Sequence, residues 1–283
     1  MLSVVEFKRL IRERGWVLLE AIVPKNLITE MADDLEFCYQ HCRSVQIENG
    51  IGDNNEATVH HLIGQRDSYF RYLEARFVDT YLEQYFEGPF ILNSFGGAIN
   101  KPAARNYSHN IHRDVRTFTV DFPLLANTLV MLDDFTKDNG ATYLLSGSHH
   151  LKDKPDEAYF YAHAEQMTAP AGSVLVFDSN VWHAGGDNRT DRLRRSVTPM
   201  YSRPFIKQQF DYPRAIGYEA RETLSENMRQ IIGYNSRVPM CLHEWYQPPE
   251  KRMYKGNQGR SGETSTWSTR KVRTVSTLTI STI

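Results

Sequence analysis

The chain has 283 residues, of which 41% are hydrophobic and 24% are charged, proportions typical of a folded domain with a substantial core. Its 33 basic and 34 acidic residues give a formal net charge of −1, with no sign of a nucleic-acid-binding stripe or a polybasic membrane patch. No apolar stretch reaches the roughly 18 residues of a membrane span. Charges begin at Glu6, so no signal peptide is expected. The three cysteines show no framework spacing, which favours a reducing, cytoplasmic environment.

The first third of the chain is expected to be mostly helical. Apolar residues at helical spacing predict helices over residues 3–15, 25–46 and 66–86. The stretch GWVLLEAIVP, which ends at Pro24, predicts a short strand between the first two helices. The stretch ENGIGDNNE is rich in turn-forming residues and is expected to be a loop.

From residue 90 the pattern changes to short apolar runs separated by turn residues, as in a β-barrel or β-sandwich. These runs are FILNSFGGAIN, RTFTVDF, NTLVMLDDF, ATYLL, GSVLVFDS and RRSVTPMYSRPF. Residues 219–233 again have helical spacing. Residues 256–283 are rich in serine and threonine and are expected to form a polar tail. We therefore expect a single domain over residues 1–255, with its β core at about 90–205.

The segment SHNIHRDVRTFTVDF places His112 and Asp114 two positions apart at the start of a predicted strand. Side chains at i and i+2 point to the same face of a strand, so an imidazole and a carboxylate would lie side by side. Two histidines and one carboxylate form the facial triad of non-haem Fe(II) sites, which leaves other metal positions open. The alternative is three polar residues on a strand edge, and the triplet alone does not distinguish the two.

A third ligand would have to come from another strand, and His183 is the candidate. It ends the run GSVLVFDSNVWH and precedes the turn AGGDNRTD, a position that suits the mouth of a barrel. After this turn, Arg194, Ser196 and Thr198 share one strand face. An inward arginine needs an anionic partner, either an internal acid or a carboxylate ligand. A molecule with a carboxylate at one end and a chelating group at the other, such as 2-oxoglutarate, would fit between Arg194 and a metal.

These residues belong to a pattern that resembles the phytanoyl-CoA dioxygenase family of Fe(II)/2-oxoglutarate oxygenases. The resemblance is detailed over residues of about 90–205 and covers residues 1–90 only in general layout. Its motifs are His112-Arg113-Asp114, LDDFTKDNGATYLLSGSHH and PAGSVLVFDSNVWHAGGDNRTDRLR. His183 and Arg194 are separated by the eleven positions typical of the family, with Asn188 between them as the family's asparagine is.

The resemblance implies a mainly β fold with flanking helices (α+β), a double-stranded β-helix of the jelly-roll or cupin-like barrel type. It implies Fe(II) held by His112, Asp114 and His183. It also implies that 2-oxoglutarate chelates the iron and that its far carboxylate meets Arg194, with Ser196 as a further contact. O2 would then convert 2-oxoglutarate to succinate and CO2 while a small-molecule substrate is hydroxylated. Asp114 argues against halogenation, because halogenating relatives usually lack the carboxylate ligand.

Several further contacts with ligands are hypotheses, with a structural role as the alternative for each. Asn93, Asn100 and Thr128 could hydrogen-bond 2-oxoglutarate. Trp182, next to His183, could wall the pocket or fill the core. Ser146 stands where the family usually has proline, which affects the rigidity of a turn and not a ligand.

The substrate side is the least defined part of the prediction. Arg113 and Arg116 could meet an anionic substrate, or they could lie on a solvated strand face. His60, His61 and Arg66, in the loop-rich segment before residue 67, are hypothesised to line the entrance.

Two other groups of histidine and cysteine residues are interpreted as structural. Cys38, His41 and Cys42 have helical spacing but lack a fourth ligand, which favours a helix packing face. His149 and His150 are expected to pack in a turn and are given no catalytic role.

Two rival functions come from other classes. The first is a cupin-like metal enzyme that does not use 2-oxoglutarate, and turnover that survived the loss of Arg194 would favour it. The second is a non-catalytic binding barrel. An intact set of His112, Asp114, His183 and Arg194 speaks against that second alternative.

Overall fold

The computed structural model describes residues 2–52, 55–119 and 122–259. Its helices are α1 (Val4–Arg14), α2 (Lys25–Glu48), α3 (Asp67–Glu74), α4 (Asp79–Phe86), α5 (Glu157–His163), α6 (Tyr212–Ile216), α7 (Glu226–Ile232) and α8 (Leu242–Trp245). Short 3-10 turns cover Tyr107–His109, Ser148–His150, Glu219–Glu222 and Pro249–Lys251. Its strands are β1 (Trp16–Leu19), β2 (Thr58–Val59), β3 (Ile91–Asn100), β4 (Leu125–Met131), β5 (Tyr143–Leu144), β6 (Glu165–Gln166), β7 (Val174–Asp178), β8 (His183–Ala184) and β9 (Arg194–Ser202). None of these helices is long and apolar enough to cross a membrane.

The strands form two antiparallel sheets. The larger has the order β1-β7-β4-β9-β3-β2, and the smaller has the order β6-β5-β8. Neighbours in the larger sheet come from distant parts of the chain, since β9 lies between β4 and β3. This interleaving is the arrangement of a jelly roll. The predicted fold class, a mainly β double-stranded β-helix with flanking helices, is confirmed.

The two faces of the larger sheet meet different partners. Along β7, Val174 and Val176 belong to the core that the N-terminal helices cover, together with Phe7 and Met31. Leu175 and Phe177, which alternate with them, pack in a second core with Leu144 of the smaller sheet. The helices therefore occupy one face, and the other face is directed toward the smaller sheet.

The first helix and strand follow the predicted pattern. Ser3 caps α1, because its side chain accepts a hydrogen bond from the backbone N–H of Glu6. Gly15 ends the helix with φ 81°, a left-handed conformation in which glycine is favoured. The chain then enters β1, which pairs with β7 at one edge of the larger sheet.

The single helix predicted over residues 66–86 is wrong. The structure has two helices, α3 and α4, with a break at Ala75–Val78. Arg76 has φ 57°, and a residue in this left-handed conformation cannot continue a right-handed helix. The apolar spacing runs across this break, so the pattern alone did not reveal it.

Three other predicted boundaries in the β region and beyond also need correction. The run RTFTVDF forms no strand over its described residues, and Phe122 lies in a bend. The strand predicted to end at His183 ends at Asp178, and His183 opens a separate strand in the smaller sheet. The helix predicted over residues 219–233 is a 3-10 turn followed by α7, which Ser225 caps through the backbone N–H of Met228.

Most of the predicted polar tail lies outside the described residues, which end at 259. Its described beginning is attached to the fold. Gln258 is buried and exchanges hydrogen bonds with the side chain of Gln230 on α7.

Candidate metal centre

His112 and His183 are brought together by backbone pairing. The backbone N–H of each residue donates to the carbonyl of the other, with both N–O distances at 2.9 Å. This isolated antiparallel bridge joins an irregular segment to β8, and the two imidazole rings lie 4.2 Å apart between centroids. The face-sharing strand expected for residues 112–114 is therefore replaced by a single bridge, followed by an irregular chain.

Asp114 reaches both imidazoles from this irregular segment. Its Oδ1 lies 3.6 Å from Nε2 of His112, and its Oδ2 lies 3.6 Å from Nε2 of His183. One donor atom from each of the three residues lies within 4.8 Å of the others. Within the described part of the chain, this is the only group of three or more His, Cys, Asp or Glu residues with the spacing of a metal site.

The two histidines are oriented by backbone carbonyls. Nδ1 of His112 lies 2.7 Å from the carbonyl oxygen of Asn110, and Nδ1 of His183 lies 3.0 Å from that of Val181. A carbonyl oxygen can only accept, so each Nδ1 carries the hydrogen. In the neutral form of each ring, Nε2 then presents a lone pair toward Asp114 and toward the space between the rings, as metal ligation requires.

His183 stays neutral over a wide pH range. Burial lowers its pKa to about 4, and the nearby imidazole of His112 acts in the same direction. Asp114 opposes this shift. The ring therefore needs no deprotonation to bind a metal at neutral pH.

Two hydrogen-bonded side chains, which the sequence did not predict, support Asp114. The side-chain N–H of Asn127 donates to Oδ2 of Asp114, and the Oγ of Ser179 donates to Oδ1 of Asn127 at 2.8 Å. Asn127 lies on β4 next to Thr128, the residue that was proposed instead. Strand alternation places Asn127 and Leu129 on the cavity face of β4 and Thr128 on the other face, but the sequence pattern does not show which of the two faces meets the cavity.

The three residues open onto a cavity of about 280 Å³. Alternate residues of β9 line it, namely Arg194, Ser196, Thr198 and Met200. The inward face predicted for Arg194, Ser196 and Thr198 is therefore the observed one.

Arg194 is buried in this cavity with unused hydrogen-bonding capacity. It is 5% exposed, and its Nε and Nη1 have no hydrogen-bond partner. Its guanidinium lies 4.2 Å over the ring of Phe135. Burial lowers its pKa to about 10, because the charged form loses hydration, and the more distant Asp133 opposes this shift. Both carboxylate oxygens of Asp133 bind Arg195 instead.

Asn188 organises the turn between His183 and Arg194. Its side-chain N–H groups donate to the carbonyl oxygens of Asn100 and Arg192, at 2.9 and 2.7 Å. Gly140 packs against the same turn, and a Cβ there would lie 2.2 Å from the carbonyl oxygen of Gly186. Only glycine fits this approach, which accounts for the Asn-Gly of the motif.

Three proposed contacts to 2-oxoglutarate lie elsewhere. Asn100 donates to the carbonyl of Gly186 and does not line the cavity. Thr128 donates to the carbonyl of Pro199, and Asn93 donates to Ser202 and to the carbonyl of Lys207. The structure gives these three residues structural hydrogen bonds and brings none of them to the cavity.

The aromatic and cationic neighbours of the cluster pack behind it. Trp182 belongs to a buried cluster with Ile111, and its Nε1 donates to the carbonyl of Leu151. The guanidinium of Arg113 lies 5.0 Å over the Trp182 ring, and Arg116 is exposed. None of Trp182, Arg113 and Arg116 lines the cavity.

The other histidine and cysteine groups have structural surroundings. Nε2 of His149 lies 3.1 Å from the carbonyl of Arg12, so the turn packs against the end of α1. Ser146, in place of the family's proline, accepts from Trp16 Nε1 and donates to Glu165. Cys38, Cys42 and Cys241 are free thiols.

Two of the three residues expected at the entrance line the cavity. His60 and His61 contribute to its wall, close to Tyr107. Arg66 does not contribute, because its guanidinium lies 3.5 Å over the ring of Phe37 and its Nε is 3.7 Å from Asp34.

A jelly roll with a cluster of two histidines and one carboxylate defines a class of proteins suited to bind a non-haem metal. The model of the phytanoyl-CoA dioxygenase (PhyH) family matches residues 11–196. The chain belongs to this family.

Similar proteins have been described in bacteria and fungi. The uncharacterized protein Rv1501 of Mycobacterium tuberculosis is 36% identical over 175 residues, which cover 62% of this chain and 63% of that protein. Dioxygenase af480 of Aspergillus fumigatus is 26% identical over 261 residues, covering 85% of this chain and 82% of that protein. The match to Rv1501 therefore spans less than two thirds of that relative's length.

Two solved structures share the fold at low identity. AviO1 from Streptomyces viridochromogenes Tue57 has a TM-score of 0.53 and 20% identity, over 72% of this chain and 97% of that chain. The epimerase SnoN, solved with Fe3+, alpha-ketoglutarate and nogalamycin RO, has a TM-score of 0.54 and 16% identity. That match covers 71% of this chain and 84% of SnoN.

Proposed function

We propose that this protein is an Fe(II)- and 2-oxoglutarate-dependent dioxygenase that hydroxylates a small-molecule substrate. The observation that carries the proposal is Arg194, a buried cation that lines the cavity of the metal-type cluster and whose Nε and Nη1 have no hydrogen-bond partner. Family membership supports the same reaction class.

The donor set fits a resident iron ion. His112 and His183 offer their Nε2 atoms, and Asp114 supplies the carboxylate. Three protein ligands leave positions open for a chelating co-substrate and O2. When bound, iron would supply the O2-dependent oxidation in which 2-oxoglutarate becomes succinate and CO2.

Arg194 would hold the co-substrate at the opposite end from the metal. Its unpartnered N–H groups can donate to carboxylate oxygens, and burial strengthens such an ion pair by excluding water. Ser196 lines the same wall, two positions along β9, and could donate its hydroxyl hydrogen. The ring of Phe135, 4.2 Å from the guanidinium, adds a cation–π contact.

Anaerobic difference absorption with Fe(II) and 2-oxoglutarate tests the proposal. A weak charge-transfer band in the visible, present in the wild type and absent in His183→Ala, is expected. His41→Ala is the control, because His41 is exposed on α2 and does not line the cavity. If the metal-loaded wild type shows no band, 2-oxoglutarate does not chelate the metal, and a cupin-like or non-catalytic function takes its place.

The reaction outcome needs a separate measurement. Once a substrate is identified, mass spectrometry should find a product that is heavier by one oxygen atom. A product of unchanged mass would contradict hydroxylation while leaving the use of 2-oxoglutarate intact.

A further inference from the structure

The outer part of the cavity, away from Arg194, carries hydrogen-bonding side chains without charge. Its described wall includes His60, His61, Ser94, Tyr107, Thr198 and Gln209. Apart from Asp114 and Arg194, none of the described residues that line the cavity is a lysine, arginine, aspartate or glutamate.

Two cations that flank this wall in the chain are paired with carboxylates. Nζ of Lys101 lies 3.0 Å from Glu56, four positions before His60. Arg105, two positions before Tyr107, has its Nη1 3.2 Å from Asp187. These two cations are therefore already matched, and an anionic ligand would gain little from them.

His61 is held in this wall by two aromatic neighbours. Its ring stacks on Phe210 with centroids 4.2 Å apart, and its Nδ1 lies 3.3 Å from the hydroxyl of Tyr212. Its backbone has φ 55°, a left-handed conformation that a residue other than glycine adopts at a cost in free energy. Strain of this kind often persists where it positions a functional side chain.

Desolvation lowers the pKa of both imidazoles, although His60 is exposed and His61 is half-buried. It lowers the pKa of His61 to about 4, with a smaller contribution from the neighbouring His60, and it also lowers the pKa of His60. Nε2 of His60 lies 3.5 Å from the hydroxyl of Tyr107, so the two segments meet across the wall. A site built from neutral donors and acceptors favours ligands that satisfy them and disfavours a bare charge.

Glycine allows close packing beneath this wall. Gly96 lines the cavity on β3, and a Cβ there would lie 3.2 Å from the carbonyl oxygen of Val59 and 3.3 Å from Oγ1 of Thr198. The absence of a side chain therefore lets the segment that leads to His60 and His61 lie close to β3.

We propose that this outer wall binds the substrate as an uncharged molecule that bears hydroxyl or carbonyl oxygens, with His61 as the specificity-determining residue. The part of the substrate inside the cavity then carries no phosphate, no nucleotide attached through a thioester and no ammonium group. This inference rests on the proposed function, which supplies the metal and 2-oxoglutarate at the inner end.

Three probes with the same eight-carbon chain test the substrate class. They are octyl β-D-glucoside, which is neutral, octylamine, which is cationic, and octanoyl-CoA, which is anionic. Binding is measured by saturation-transfer NMR on the full chain with Zn(II), a diamagnetic replacement for iron, and 2-oxoglutarate. Because 2-oxoglutarate occupies Arg194, that cation does not attract the anionic probe.

The variants are His61→Phe, which keeps a ring on Phe210 but removes the imidazole nitrogens, and Tyr107→Phe, which removes one exposed hydroxyl. His41→Phe, on the surface of α2, is the matched control. Thermal unfolding checks that each variant is folded.

We expect the glucoside to bind at least about tenfold more tightly than either charged probe, one decade being about 1.4 kcal/mol. His61→Phe should weaken it about tenfold and Tyr107→Phe by less, whereas His41→Phe should leave it unchanged. Tighter or equal binding of a charged probe, glucoside binding unaffected by both cavity variants, or no binding of any probe would overturn the inference. The 2-oxoglutarate signal in the same sample separates the two proposals, because its absence in the wild type would overturn the proposed function and the inference with it.

Discussion

The two ends of the cavity are built in different ways. The inner end uses Arg194 and Asn127, which project from β9 and β4 in the middle of the larger sheet. The outer end uses the two-residue edge strand β2 and the 3-10 turn that contains Tyr107, and Ala57 and His61 beside β2 both have positive φ. On the proposed function, the cation that would bind the co-substrate thus lies on a central strand, whereas His61 and Tyr107, which would contact the substrate, lie beside an edge strand and in a turn.

The largest effect is expected from a substitution at the inner end of the cavity. Arg194→Gln removes the buried cation, and the affinity for 2-oxoglutarate should fall at least about 100-fold, or about 3 kcal/mol. Co(II) binding by the three ligands should stay the same. Titration of the Fe(II)–2-oxoglutarate band measures the affinity. Arg195→Gln is the control on the opposite face of β9, where Arg195 pairs with Asp133, and an equal loss in both variants would contradict the role of Arg194.

A smaller effect should follow from loosening the support of Asp114. Asn127→Ala removes the donor to its carboxylate, and the affinity for Co(II) should fall about 10- to 100-fold, as for other outer partners of metal ligands. Competition with a chelator measures this affinity. Thr128→Val, one position along on the other face of β4, should not change it. Unchanged affinity in Asn127→Ala would mean that Asp114 needs no such support.

The outer end should reveal itself in the pH dependence of stability. Burial holds the pKa of His61 at about 4, below its ordinary value of 6.5. As the pH falls from 6.5 to 4, His61 becomes protonated in the unfolded chain but stays largely neutral in the folded protein. The free energy of unfolding therefore decreases over this pH range. His61→Asn should make this decrease shallower by about 1–2 kcal/mol, measured by urea unfolding between pH 6.5 and 4. Parallel curves for wild type and variant would show that the pKa of His61 is not lowered in the folded protein.

The smallest effect concerns the turn that departs from its family. Ser146→Ala removes the hydrogen bonds to Trp16 and Glu165, and the free energy of unfolding should fall by about 1 kcal/mol. The affinity for 2-oxoglutarate should not change, because Ser146 does not line the cavity. A change in that affinity would show that this turn affects the inner end of the cavity, and it would contradict a purely structural role for Ser146.

The sequence was most informative where a motif spans several elements. The separation of His183 from Arg194 and the pair His112 and Asp114 identified residues that the structure places around one cavity. The local reasoning was weaker, since His112 and Asp114 were assigned to a strand that the structure does not form. Proximity there comes from one backbone bridge to His183, and such long-range pairing has no local signature.

Other misses have equally specific causes. Thr128 was chosen over Asn127 because the face of β4 that meets the cavity depends on its pairing with β7 and β9. The break between α3 and α4 depends on the left-handed Arg76, a conformation that arginine rarely adopts and that sequence does not announce. The wall formed by His61 and Tyr107 joins two loops distant in the chain, and only the fold brings them together.

The turn around Asn188 gives the inner end a fixed length. Its amide ties together the carbonyl groups of Asn100 and Arg192, and Gly140 presses against Gly186 without room for a methyl group. His183 and Arg194 are eleven positions apart in the chain, and these contacts fix the turn between them. On the proposed function, this turn sets the distance between the metal and Arg194 and thereby selects dicarboxylic acids of one length. An oxo acid one methylene shorter or longer than 2-oxoglutarate would lose either its chelate or its contact with Arg194.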